Sequence, residues 1–140
     1  MVKVNISRLN LVSPLYYTLE KDFEPFGYKE GDGEKLFCFE LDETQAMEFD
    51  PGKTDFLKNL VFSGRAEDGA DRRLCMELPQ GNYLFAQQRE ILGWEEIAGM
   101  AVEVQQEGLW QRLSLGGKLY LRYLFEDGCC VTQLFRPYEE

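Results

Sequence analysis

Arg122 stands inside an aromatic, strand-forming run, Leu119-Tyr-Leu-Arg-Tyr-Leu-Phe125. A charge among Tyr120, Leu124 and Phe135 is costly unless something neutralises it. Two kinds of partner suit it. One is an acid of this chain, either Glu126 or a residue of the segment 20–50. The other is an anionic ligand group, held by the parallel N–H bonds of the guanidinium. Gln87 and Gln133 are polar strand residues that could hydrogen-bond beside it or lie on the surface. Around these stand large rings: Tyr83, Phe85, Trp94, Trp110, Tyr120 and Tyr123. Ring faces attract cations, and ring area suits an apolar ligand. Core packing is the ordinary role of each ring alone; as a set they would line a ligand cleft.

Other chemistry is harder to place. The chain has no His, which removes Ser-His and Cys-His catalysis and every His-containing metal site. Carboxylates are abundant, yet no motif sets two of them to work as acid and base. No Walker motif, G-x-G-x-x-G or G-x-S-x-G is present. The four cysteines lack C-x-x-C spacing. Cys38 and Cys75 sit in apolar runs and read as small core residues. Cys129 and Cys130 are adjacent, so on a strand they point to opposite faces and make a poor metal clamp. No cofactor is implied.

The 140 residues suit one domain. Hydrophobic residues make up 44%, enough for a core. Fifteen Lys plus Arg against 25 Asp plus Glu give a net charge of −10, which argues against nucleic acid as a partner. Residues 20–50 hold eleven acids and three lysines. That segment reads as a solvated, loop-rich face, or as a surface for a basic protein partner through acids such as Glu30, Asp32 and Glu34. Asn5, Ser7, Arg8 and Asn10 interrupt any signal-peptide stretch, and no window approaches a membrane span. The expectation is a cytoplasmic protein with no membrane association.

The elements that must position Arg122 and the rings are clearest near the C-terminus. Asp127-Gly128 separates two strand-forming runs, a strong hairpin signal. A two-residue loop there pairs Glu126 with Cys129, Tyr123 with Thr132 and Leu121 with Leu134. One face then carries Leu119, Leu121, Tyr123, Phe125, Cys130, Thr132 and Leu134. The other carries Tyr120, Arg122, Leu124, Val131, Gln133 and Phe135. Neither face is polar throughout, so the hairpin belongs inside a sheet. Trp94, Ile97, Ala101, Val104 and Gly108 recur at helical spacing and predict a helix from about Gly93 to Leu113, or one that Gly108 ends early with Leu109-Trp110 capping the core. Strands are expected at 82–89, 119–126 and 129–136. Earlier strands are expected at Val2–Leu11, Leu15–Leu19, Leu36–Phe39, Phe56–Ala66 and Arg72–Leu78, with a short helix at Asp42–Phe49; in place of the strand at 56–66, Asp50-Pro51 could instead start a helix through Phe62. Glu67-Asp-Gly69 recurs as Glu126-Asp-Gly128, which suggests an internal repeat with Asp68-Gly69 turning one strand back into the next.

The segment Glu77-Leu-Pro-Gln-Gly81-Asn-Tyr83-Leu-Phe85 resembles the start of the second half of GyrI-like effector-binding domains. The helix with Trp94 and the hairpin with Leu119-Tyr-Leu-Arg-Tyr123 follow in the order of that family, so the resemblance covers about residues 56–136. It implies an α+β fold: an antiparallel sheet of pseudo-duplicated β-α-β-β units, helices on one face, halves near 1–78 and 79–140, and a ligand cleft between them. It implies a stand-alone member that binds a small amphiphilic or aromatic molecule, and a few members hydrolyse small electrophiles. The acid that helps many members hold a cation falls on Leu121. Three functional readings follow: an effector-binding domain, an acidic protein-interaction module or inhibitor, and a small hydrolase.

Overall fold

The structure, a computed structural model, describes residues 6–12, 15–19, 34–40, 60–66, 75–90, 94–126 and 128–139. Its strands are β1 (Ile6–Leu11), β2 (Leu15–Leu19), β3 (Lys35–Glu40), β4 (Leu60–Ala66), β5 (Cys75–Leu78), β6 (Gly81–Gln88), β7 (Ser114–Leu115), β8 (Lys118–Glu126) and β9 (Cys129–Glu139). One helix, α1 (Trp94–Trp110), lies between β6 and β7. The expected helix at 42–49 and the acidic stretches 20–33 and 41–50 fall outside the described residues.

The β8–β9 hairpin forms in the register its residues dictate. Glu126 pairs with Cys129, Tyr123 with Thr132 and Leu121 with Leu134. Gly128 has φ +78°, a conformation that a side chain disfavours. Both strands are internal to the sheet, whose order is β1-β6-β9-β8-β3-β4-β2-β5, with β7 paired to the end of β9.

That order forces the sheet to curl. β1 and β2 stand six places apart, roughly 29 Å in a flat sheet. Residues 12–14 are all that join them, and such a linker reaches roughly 14 Å at most. The same holds for β5 and β6, joined through Pro79-Gln80. Bending both edges toward each other satisfies the two linkers together. The inner face accordingly gathers residues from both edges into one cluster: Leu9 and Leu11 of β1, Leu15 and Tyr17 of β2, and Leu78 of β5, with Leu36, Cys38, Tyr83, Tyr120 and Phe135.

The outer face is covered by α1. Ile97, Met100, Ala101 and Val104 form its apolar stripe and pack on Phe37, Phe39, Leu84, Leu121, Tyr123 and Leu134. The helix ends in a reciprocal cap. Leu113 N donates to Gly108 O over 2.9 Å and Arg112 N to Leu109 O over 3.1 Å, with Arg112 at φ +59°.

Two expectations are corrected. The α+β fold of pseudo-duplicated β-α-β-β units with helices on one face is overturned: the described residues are mostly one antiparallel sheet with a single helix. β2 is inserted between β4 and β5, so β5 does not pair with β4 as a turn at Asp68-Gly69 would require; that turn itself lies outside the described residues. The pairings β1–β6 and β3–β8 also join the two halves of the chain into the same sheet. The second correction concerns the end of α1. Leu109 and Trp110 are 48% and 83% exposed and do not cap the core.

Candidate functional site

The inner face has two ends with different chemistry. At the end where β5 turns into β6, a groove of about 660 Å³ opens. The 79–82 turn forms one wall, the 114–118 turn another, and Pro137–Glu139 a third. Gly81 is required in the first wall by its φ of +151°. Tyr83 and Tyr120 lie at the base, edge to face, with centroids 6.2 Å apart. Tyr83 donates its hydroxyl hydrogen to Pro79 O, which ties the ring to the turn. Lys118 and Glu139 are exposed on the rim. Tyr138 closes the outer side, with the Arg8 guanidinium 5.6 Å from its ring centroid.

The second wall is held from the helix side of the sheet. Gly116 N donates to Pro137 O over 2.8 Å, and Arg136 Nε donates to Gly116 O over 2.7 Å. Arg136 is 1% exposed and also reaches Gln105 Oε1 of α1 at 3.3 Å. Burial lowers its pKa to about 10. The side chain thus links helix, strand β9 and groove wall.

At the other end of the inner face, five polar side chains form a ladder across the strands. Tyr17 donates its hydroxyl hydrogen to Glu34 Oε2 over 2.8 Å. Arg122 Nη2 pairs with Glu34 Oε1. Arg122 Nη1 donates to Gln133 Oε1 over 3.1 Å, and Gln133 Nε2 donates to Gln87 Oε1 over 2.8 Å. Arg122 and Glu34 keep 19% and 25% side-chain exposure. Burial alone would lower the Arg122 pKa; the neighbouring Tyr17 and Glu34 outweigh it, and the guanidinium stays charged. Burial pushes the Tyr17 phenol well above its ordinary range. The rings of Phe85 and Phe135, 5.1 Å apart, belong to the layer between ladder and groove.

The sequence-derived candidates therefore divide. Tyr83 and Tyr120 border the groove, and Arg122 heads the ladder with Gln133 and Gln87. Phe85 lies half-buried between the two ends. Trp94 opens α1. Trp110 stands in solvent, and Tyr123 packs on Phe37 beneath the helix, so neither borders the groove. Glu34 answers which acid of the 20–50 segment meets Arg122. Tyr17, Lys118 and Tyr138 carried no local signal: nothing near them in the chain shows that the fold brings them to either end.

Among the described residues no three Cys, Asp or Glu side chains are placed to hold one metal ion. No helix of the described residues is long and apolar enough to cross a membrane. No protein-family model matches the chain, and no curated protein matches it.

Proposed function

We propose that this protein binds a small amphiphilic or aromatic molecule in the groove between the 79–82 and 114–118 turns. One observation carries the reading: a groove of about 660 Å³ with tyrosine rings at its base and a charged rim. Ligand sites commonly have about 300–1,000 Å³, a largely apolar lining and a few placed polar groups. Tyr83 and Tyr120 supply ring edges, Pro79 and Pro137 rigid apolar walls, and Lys118 a cation for an acidic substituent. The likeness to GyrI-like effector-binding domains is part of this proposal and rests on the segment Leu78-Pro-Gln-Gly-Asn-Tyr83. The groove lies at a turn end of a single sheet, so the reading needs no cleft between repeated halves. A cytoplasmic location belongs to the same proposal, supported by the Cys38 and Cys129 thiols, which form no disulfide.

The test is a thermal-shift screen of aromatic carboxylates, amphiphilic anions and hydrophobic cations. At least one class should raise the Tm of the wild type, and Lys118→Ala should abolish the gain for acidic ligands. Absence of a shift with every class would remove the proposal.

A further inference from the structure

We propose that Arg136 is the positioning residue of the groove: from the helix side of the sheet it holds the wall formed by Ser114, Leu115 and Gly116 in the place that a ligand needs. This role rests on the groove being a ligand site. The wall has little hold of its own. Its strand β7 is two residues long, and Gly116-Gly117 follows, the most freely bending pair a chain can have. Gly116 also has to lie close against β9, because a Cβ there would stand 3.0 Å from Pro137 Cγ. Both of its backbone groups are tied to adjacent residues of that strand: its N–H donates to Pro137 O, and its carbonyl accepts from Arg136 Nε. The second bond has a charged donor and is therefore of the stronger kind.

The arginine is held in turn by α1. Its Nη1 reaches Gln105 Oε1 at 3.3 Å, and Gln105 is itself buried. Gly108 is three residues further on and so lies on the same face of the helix. It leaves room for Leu115 of the wall: a Cβ at 108 would stand 2.6 Å from Leu115 Cδ2. The helix therefore supports the wall at two neighbouring points, one polar and one apolar. Arginine suits the polar one. Nε and Nη1 point in different directions from one rigid plane, so a single side chain serves a carbonyl of the wall and an amide of the helix; lysine offers one nitrogen. Seating α1 on the sheet does not require such a group, since a buried charge is costly and Ile97, Met100, Ala101 and Val104 already supply an apolar contact. What the guanidinium adds is a directed bond to the groove wall.

A test has to separate shape from stability. The double variant Arg136→Met, Gln105→Met removes the polar link and keeps the bulk, so its urea midpoint should stay near that of the wild type. Without any ligand, the amide hydrogen of Gly116 should exchange roughly tenfold faster in this variant, while Leu121 and Leu134 of the β8–β9 pair keep their rates. Arg136→Lys, which retains the charge, should show the same faster exchange at Gly116. In the wild type the Nε–H of Arg136 should be protected from exchange with water, a readout that needs no substitution. With 2-naphthoate as the probe, the double variant should bind roughly tenfold more weakly than the wild type. An unchanged rate at Gly116, an unprotected Arg136 Nε–H, or full affinity of the double variant for 2-naphthoate would overturn the proposal. Faster exchange over the whole sheet would assign Arg136 to global stability and overturn it as well. If 2-naphthoate fails to bind the wild type, the reading of the groove as a site for aromatic acids falls, and the exchange rates alone decide whether Arg136 holds the wall.

Discussion

Arg122 and Gln133 face each other across the β8–β9 pair, and the guanidinium of one fixes the amide of the other through a 3.1 Å hydrogen bond. On its other side Arg122 is neutralised by Glu34, 88 residues away in the chain. Removing one member of an enclosed ion pair leaves the other charge without compensation. Arg122→Leu should cost about 2–3 kcal/mol, less than for a fully enclosed pair, because both side chains keep some exposure. The double variant Arg122→Leu, Glu34→Leu should recover most of that loss. Urea unfolding of the three proteins measures both effects, and a double variant no better than the single one would contradict this account.

Arg112 is the one described non-glycine residue with positive φ. It holds the position after α1 that glycine usually takes in this cap. Arg112→Gly should therefore stabilise the protein by about 0.5–1 kcal/mol, the relief being partly offset by the greater freedom of glycine in the unfolded chain. Arg112→Ala keeps the Cβ and should give no such gain. Chemical denaturation at one pH distinguishes them.

Burial pushes the Cys38 thiol up to about 11, whereas an unfolded thiol titrates near the usual value of about 8.5–9. The folded state then holds its proton longer than the unfolded state. The contribution is complete below the unfolded pKa and is lost as pH rises toward the folded one. Stability should fall from about pH 9 upward, and Cys38→Ala should remain level until about pH 10. Arg136 acts in the opposite direction, but only from about its own lowered pKa of 10 upward. Urea midpoints between pH 8 and 10 therefore isolate the thiol.

Trp110 is 83% exposed at the end of α1. Trp110→Ser should change stability by less than about 0.5 kcal/mol, as expected for a surface position without special contacts. A loss of several kcal/mol in thermal or urea unfolding would mean that the ring packs after all.

What could be read from the sequence follows the range of the interaction. The β8–β9 register needed only Asp127-Gly128 and strict alternation, both local. The apolar stripe of α1 was equally local. Trp110 was misplaced because it lies two residues past Gly108, about 200° around the helix from the stripe. Tyr120 and Tyr123 differ by three positions on one strand, so alternation already puts them on opposite faces. The order of the sheet was hidden. The pairings β1–β6 and β3–β8 join residues about 70–88 positions apart, and no local pattern names the partner. The same limit applies to the site. A mid-strand charge announced that Arg122 needs an acid, but the choice of Glu34 depends on β3 lying beside β8.

The most direct test of the binding account is a fragment screen followed through backbone amide resonances. Small aromatic acids should shift the signals of Gly81, Asn82, Ser114, Gly116 and Lys118 together, saturably, and leave those of the β8–β9 turn unchanged. No saturable shift at any of these residues, or shifts scattered over the whole sheet, would contradict it.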